Sequence, residues 1–294
     1  MDESIFKKAE VFVESFKYIK EFKNKIFVIK IGGSIYQVED MKESILFDIA
    51  FLSLMDIKIL LICGGGKFIN DEIEKSGGKI KFIDGLRVTD EKTLEIVKNV
   101  LFKIRDEIIE TLKIKFDVNS DKLSPEEKFA TASKIHYQKG EEIIDLGFVG
   151  QLKSVDTEYI KDKLNKNGIL VCAPLASGEN GQIYNINGDT FASNIALNLK
   201  SEKLIFITDV PGIMRNPENP DTLISILSVS QGEVLIKEGI IKEGMIPKVK
   251  AGINAIKNGV KKVHIISGNI PHSLLLEVLT EHGVGSEIVK NENE

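Results

Sequence analysis

Five short apolar runs constrain this chain more than any other feature: Ile26–Ile31, Ile57–Ile62, Ile169–Ala173, Leu204–Thr208 and Val263–Ile266. A strand with one wet face alternates apolar and polar residues. Runs without alternation predict strands buried on both faces, as in a parallel sheet covered by helices on each side. Helix-period segments that can supply the cover are Asp40–Met55, Lys67–Ser76, Glu91–Lys113, Asp156–Asn167, Asp189–Leu199, Val229–Lys237, Pro247–Asn258 and His272–Glu281. The predicted class is α/β, a three-layer αβα sandwich around a mainly parallel sheet. Ligands in such sheets gather at the carboxyl ends of the strands.

Two regions depart from this rhythm. Between residues 113 and 151 the pattern weakens: Ser124-Pro125-Glu126-Glu127 reads as a loop into a short helix and Ile143–Gln151 as a hairpin strand, together suited to a lid. Residues 1–25 place Phe12, Phe16, Ile19 and Phe22 at helical spacing, predicting an amphipathic helix outside the sheet. Its apolar face can fold back on its own domain or dock on a neighbouring subunit.

The 294 residues, 43% of them apolar, suffice for a full core, and the net charge of −5 gives no general attraction for nucleic acid or anionic membranes. An anionic substrate must therefore be held by locally placed cations and amides. Cys63 and Cys172 have neither metal-site nor disulfide-framework spacing, as expected in a reducing cytoplasm. No apolar stretch approaches the roughly 18–20 residues that cross a bilayer, and the amino terminus lacks a signal pattern, so the expectation is a protein neither exported nor membrane-spanning.

Chemistry concentrates at the strand ends. Lys30-Ile31-Gly32-Gly33-Ser34 follows the first run and Cys63-Gly64-Gly65-Gly66-Lys67 the second, the latter leading into a helix. Glycines let the backbone approach an anion, and amides at a helix start favour phosphate or carboxylate oxygens, although tight turns also use glycine. Walker A and spaced dinucleotide glycine patterns are absent from the sequence. Gly85-Leu86-Arg87-Val88-Thr89-Asp90 sets an arginine before a helix that Thr89 or Asp90 can cap, where it can grip a carboxylate. Tyr184-Asn185-Ile186-Asn187-Gly188-Asp189-Thr190 is a polar entrance to an apolar helix. Its two amides and one carboxylate suit a small polar substrate and nearby lysines; the less favoured alternative is a turn and a cap. In Thr208-Asp209-Val210-Pro211-Gly212, Asp209 can accept from a ribose hydroxyl or base amine, and a turn explains it nearly as well. Gly244-Met245-Ile246-Pro247-Lys248 puts a cation in the first turn of a helix, against the dipole, a conflict that a bound anion removes.

Taken in order over nearly the whole chain, these motifs, with Asp-Leu-Gly-Phe-Val-Gly at 145–150 and Gly-Met-Ile-Pro-Lys-Val at 244–249, resemble the N-acetylglutamate kinases of the amino-acid kinase family. The resemblance implies a substrate lobe over 26–200 and an ATP lobe over 201–294, with residues 1–25 serving oligomerisation. It implies that Lys30 and Lys248 neutralise the transferring phosphoryl group and that Asp189 organises them. Gly32, Gly33, Gly64 and Gly65 would donate amides, Arg87, Asn185 and Asn187 would hold N-acetyl-L-glutamate, and Asp209 would lie near ATP. Mg²⁺ would travel with the nucleotide. Lys8-Ala9-Glu10-Val11 and the segments around Pro271-His272 and Glu281-His282-Gly283-Val284-Gly285 resemble the hexameric, trimer-of-dimers, arginine-inhibited members. This implies an allosteric arginine site at His272, Glu281 and Gly283, in an arginine-biosynthetic enzyme of the cytoplasm.

Three departures from the family pattern stand out: Cys63 replaces a histidine, Gly188 replaces an alanine, and Val118-Asn119-Ser120-Asp121-Lys122-Leu123 replaces a glycine-containing stretch. The competing readings are a kinase of another amino-acid carboxylate, such as aspartate, glutamate or a carrier-bound amino acid, and a non-catalytic arginine-sensing protein on the same fold. The pair of lysines around Asp189 argues against the last, because a binding module has no need for two cations converging on one phosphate.

Overall fold

The computed structural model describes residues 3–140, 142–242 and 244–291. The first half runs α1 (Glu3–Phe22), β1 (Ile26–Ile31), α2 (Glu39–Leu54), β2 (Lys58–Cys63), α3 (Gly66–Lys75), β3 (Phe82–Ile83), β4 (Leu86–Arg87) and α4 (Glu91–Phe116). A region of short strands follows: β5 (Ser120–Leu123), β6 (Ala130–Lys134), β7 (Tyr137–Lys139), β8 (Glu142–Ile144) and β9 (Gly150–Val155). Next come α5 (Thr157–Asn167), β10 (Ile169–Cys172), β11 (Leu175–Ser177), β12 (Ile183–Asn185) and α6 (Gly188–Leu199). The chain ends with β13 (Lys203–Thr208), β14 (Ile226–Ser228), α7 (Val229–Lys237), α8 (Ile246–Lys257), β15 (Lys262–Ser267), α9 (Ser273–Leu279) and β16 (Ser286–Val289).

All five apolar runs become neighbouring strands of one eight-stranded sheet, ordered β14-β16-β15-β13-β1-β2-β10-β5. β1, β2, β10, β5, β13 and β15 are parallel, and β16 runs antiparallel to β15. One face packs against α2, α3, α4 and α9 through residues such as Ile49, Ile73, Leu101 and Leu274. The other packs against α5, α6, α7 and α8 through Leu164, Phe191, Leu235 and Ile256. Alternation along β1 sends Phe27, Ile29 and Ile31 to the first core and Val28 to the second. Each fully buried apolar side chain stabilises by about 1.5–3 kcal/mol before its conformational cost.

The central place of β1 fixes the site. Lys30 is paired through its backbone with Phe206 on one side and Ile62 on the other. A four-stranded sheet, β12-β11-β6-β9, and the β3–β4 and β7–β8 hairpins stand beside the main sheet.

The predicted single strand over 143–151 is corrected. β8 ends at Ile144 and β9 begins at Gly150. Between them the Asp145 carboxylate accepts from the Gly147 amide at 2.8 Å, and Gly147 has φ +74°, a turn that interrupts any strand. In α1, Phe22 is buried edge-on to Phe27, with ring centroids 5.3 Å apart, while Val13 and Phe16 are exposed. The Phe12 side chain lies outside the described residues. Among the described residues, no helix is long and apolar enough to cross a membrane.

Candidate active site

Lys30, Asp189 and Lys248 meet at the carboxyl edge of the sheet. Lys30 Nζ lies 2.8 Å from Asp189 Oδ1, and Lys248 Nζ lies 3.2 Å from Asp189 Oδ2. Three elements supply them: the carboxyl end of β1, the first turn of α6 and the first turn of α8. Asn187 caps α6, its Oδ1 accepting from the amides of Asp189 and Thr190 at 3.0 and 3.1 Å. That cap sets the direction of the helix, and so the position of Asp189. Burial pushes the Asp189 carboxyl up, but Lys30 and then Lys248 outweigh it and hold it below the ordinary carboxylate range. Two cations on one carboxylate leave positive charge facing the adjoining cavity.

That cavity, about 310 Å³, is lined by Lys30, Arg87, Asn185, Asp189, Lys248 and both glycine loops. The loops touch backbone to backbone. A Cβ on Gly33 would lie 2.9 Å from the Gly66 amide nitrogen, and one on Gly64 would lie 2.7 Å from the Ile31 carbonyl oxygen. Any side chain would force them apart. The amides of Gly32 and Gly64 are taken by the carbonyls of Ile207 and Ile31 at 2.8 and 2.9 Å. The expected amide donors are therefore divided: the amides of Gly32 and Gly64 are engaged, whereas among the described residues those of Gly33 and Gly65, also on the cavity lining, have no hydrogen-bond partner.

Arg87 closes one side. Its Nη2 donates to Asn70 Oδ1 at 2.6 Å and to the Gly66 carbonyl at 3.1 Å, and its guanidinium stacks 4.6 Å from the centroid of Phe82. Nη1 is buried and has no partner among the described residues. Burial lowers the Arg87 pKa to about 10, which leaves it cationic at neutral pH. A buried cation with an unpaired donor on a cavity wall is stabilised by a carboxylate ligand. Sequence reasoning missed Asn70 and Phe82, which hold Arg87; a helical asparagine and a two-residue strand carry no local signal.

Asp209 stands between this cavity and a second one of about 730 Å³, lined by Val210, Met214, Ile241, Met245 and Lys248 among others. Its carbonyl accepts from Asn269 Nδ2 at 2.8 Å, and its carboxylate accepts from the Thr208 hydroxyl at 3.1 Å. The second cavity is mainly apolar and suits a planar base, and Lys248 joins it to the charged site.

The three residues of the expected arginine site are not equivalent. His272 Nδ1 lies 2.7 Å from the buried Asp48 of α2. At the other end of α9, Gly283 is packed on the Glu277 carboxylate, and the Glu281 amide donates to Glu14 of α1. Behind them runs a buried chain that sequence reasoning missed: Lys203 Nζ is 3.0 Å from His264 Nε2, and His264 Nδ1 is 2.7 Å from Glu277 Oε1. Cys63, where the family pattern has histidine, is buried, with Sγ 3.3 Å from the Cys172 carbonyl; burial pushes its thiol up to about 12.

The amino acid kinase family model matches residues 25–267. Acetylglutamate kinase of Methanocaldococcus jannaschii is 44% identical over 98% of this chain and 98% of its own length. The acetylglutamate kinase of Archaeoglobus fulgidus is 42% identical over 95% of this chain and 98% of its own length. N-acetylglutamate synthase from Neisseria gonorrhoeae, solved with coenzyme A and L-arginine, superposes with a TM-score of 0.86 at 26% identity, over 96% of this chain and 65% of that one. With its strands, glycine loops and paired lysines in this order, the chain belongs to the amino acid kinase family, in its acetylglutamate kinase branch.

Proposed function

We propose that this protein transfers the γ-phosphoryl group of ATP to the side-chain carboxylate of N-acetyl-L-glutamate, in arginine biosynthesis. One observation carries the reading: Lys30 and Lys248 converge on Asp189 between a polar cavity of about 310 Å³ and a larger apolar one. Residues 26–200 supply the acceptor side and 201–294 the nucleotide side.

The acceptor carboxylate is already a nucleophile, so no general base is needed. One of its oxygens attacks the γ-phosphorus while the bond to the ADP oxygen breaks and its electron pair leaves with ADP. Charge builds on the three equatorial oxygens, where Lys30 and Lys248 donate. Asp189 holds both ammonium groups in place beforehand, so little reorganisation accompanies transfer. The Gly33 and Gly65 amides add fixed dipoles. Arg87 takes the α-carboxylate through its free Nη1, Asn185 meets the acetylated amino group, and Asn187 acts through its cap on α6. The base lies in the apolar cavity beside Asp209. The acidic side chains on the acceptor cavity are Asp189 and Asp209, and Asp189 is engaged by two lysines, a donor set that fits Mg²⁺ arriving with ATP. When bound with ATP, Mg²⁺ would supply neutralisation of phosphate charge; the product is an acyl phosphate.

L-Arginine is read as an inhibitor near α1, where the Glu281 amide meets Glu14 and Gly283 packs on Glu277. His272, tied to α2, would respond from the far end of α9. The exposed Val13 and Phe16 of α1 suit a second copy of this chain, in a hexamer built as a trimer of dimers. Two buried free thiols suit the cytoplasm. The test is ATP-dependent acyl phosphate trapped as hydroxamate. N-acetyl-L-glutamate is expected to exceed glutamate and aspartate; preference for either of those discards the substrate, and no product with any acceptor discards the kinase. Activity that stays flat to millimolar arginine removes the inhibitor.

A further inference from the structure

Thr89 is fully buried where three segments cross. Its amide donates to the Leu146 carbonyl at 2.9 Å, and its carbonyl accepts from the Phe148 amide at 2.6 Å. The Phe148 carbonyl in turn accepts from the Asn185 amide at 2.9 Å. Gly147 passes so close that a Cβ there would overlap the Thr89 carbonyl oxygen. The Thr89 backbone is thus clamped from both sides, and its side chain reaches two neighbours: the Arg87 carbonyl at 2.8 Å and Asn185 Nδ2 at 3.1 Å.

A threonine hydroxyl has one proton. The Arg87 carbonyl only accepts, so that proton points at it, and the hydroxyl lone pair facing Asn185 must meet a donor. This decides which way round the Asn185 carboxamide sits: Nδ2 on Thr89, Oδ1 turned away. Among the described residues no donor reaches Asn185 Oδ1, and Asn185 lines the cavity that holds Lys30 and Arg87.

We propose that Thr89 is a positioning residue that locks the Asn185 carboxamide with its oxygen toward the acceptor cavity, so that the site reads an N–H on the substrate's α-substituent. This rests on the N-acetyl-L-glutamate reading above and deepens it. The same hydroxyl fixes the Arg87 carbonyl, so one side chain couples the two groups assigned to the substrate's α-carbon. An acceptor whose amide N–H is replaced by an ester oxygen sets two lone pairs against each other and loses about tenfold or more in kcat/KM.

The experiment compares N-acetyl-L-glutamate with (S)-2-acetoxyglutarate, in which that oxygen stands in place of N–H, in the parent, Thr89→Val, Thr89→Ser and Asn185→Asp. The parent is expected to prefer the amide by about tenfold or more. In Thr89→Val the carboxamide is free to turn, and the preference shrinks to within about threefold, through KM for the acceptor with KM for ATP unchanged. Thr89→Ser restores it. Should Thr89→Val not fold, Asn185→Asp carries the test: an oxygen still faces the cavity, so the preference for the amide persists at lower overall affinity. An unchanged preference in folded Thr89→Val, or its loss in Asn185→Asp, overturns the proposal alone. A parent that phosphorylates neither compound overturns both the proposal and the reading it rests on.

Discussion

Two different buried charge arrangements lie in the molecule, one on β13, β15 and α9 toward the amino ends of the strands, the other on β1, α6 and α8 at the carboxyl edge of the sheet. At the amino end, Lys203, His264 and Glu277 form a chain in which every charged or polar atom is matched, the Glu277 carboxylate also accepting from the Val284 and Gly285 amides at 2.7 and 3.0 Å. Burial holds His264 below its ordinary pKa, so the imidazole is neutral: Nδ1 donates to Glu277 and Nε2 accepts from Lys203. Positive and negative charge balance. At the carboxyl edge two lysines share the single carboxylate of Asp189. Matched charge fixes two strands and a helix to one another, whereas surplus charge beside a cavity attracts an anion.

The comparison breaks most visibly in turnover. Lys30→Ala and Lys248→Ala are each expected to lower kcat by about 10²–10³-fold, the range for losing one donor to a developing oxyanion. Lys203→Met is expected to leave kcat within about twofold, and a large loss there would erase the distinction. Next in size is Arg87→Lys. An ammonium cannot reproduce both the contact with Asn70 and the free second donor, so KM for the acceptor is expected to rise about 10–100-fold with KM for ATP unchanged.

The amino-end chain has its own signature in stability. Burial, aided by the charge of Lys262, lowers the Lys203 pKa from 10.5 to about 8. Below pH 8 both the folded and unfolded chains hold the proton, and the full cost of burying the charge is present. Between about 8 and 10.5 the unfolded chain binds a proton that the folded chain does not, so stability rises with pH through this window. Urea titrations from pH 7.5 to 9.5 are expected to show a slope in the parent, at most about 1.4 kcal/mol per pH unit from this group, that Lys203→Met lacks. Equal slopes would remove Lys203 as its source. The smallest effect is at the cysteines. Both thiols are buried and pushed above the ordinary range, so a thiol reagent is expected to react only after denaturation, and Cys63→Ala is expected to keep kcat within about twofold.

The same contrast between matched and surplus features explains what was legible in the sequence. β1, β2, β10, β13 and β15 were readable because strands buried on both faces are continuously apolar. β5, with sequence SDKL, lies at the sheet edge, where polar residues are tolerated, and β14 and β16 are three and four residues long. None of these three has a distinctive pattern. Lys30 and Lys248 stood out because each occupies a locally costly position, a cation at the end of a buried strand and a cation against a helix dipole; Asp189 sits where a helix start favours a carboxylate and stood out through the polar segment around it. Asn70 and Thr89 sit where their residue types are unremarkable, and only tertiary contacts give them a role. His272 and Gly283 are near in sequence, yet His272 turns toward α2, because α9 lies between them and Asp48 lies beneath its first turn.

The most direct test of the surplus-charge reading is binding of a transition-state mimic. The affinity of MgADP with aluminium fluoride and N-acetyl-L-glutamate would be compared with that of MgADP alone, in the parent and in Lys30→Ala. The Lys30–Asp189–Lys248 fork predicts that the parent binds the mimic far more tightly than MgADP and that Lys30→Ala loses most of that difference while keeping its affinity for MgADP. Equal weakening of both ligands would contradict it, reducing Lys30 to a holder of nucleotide.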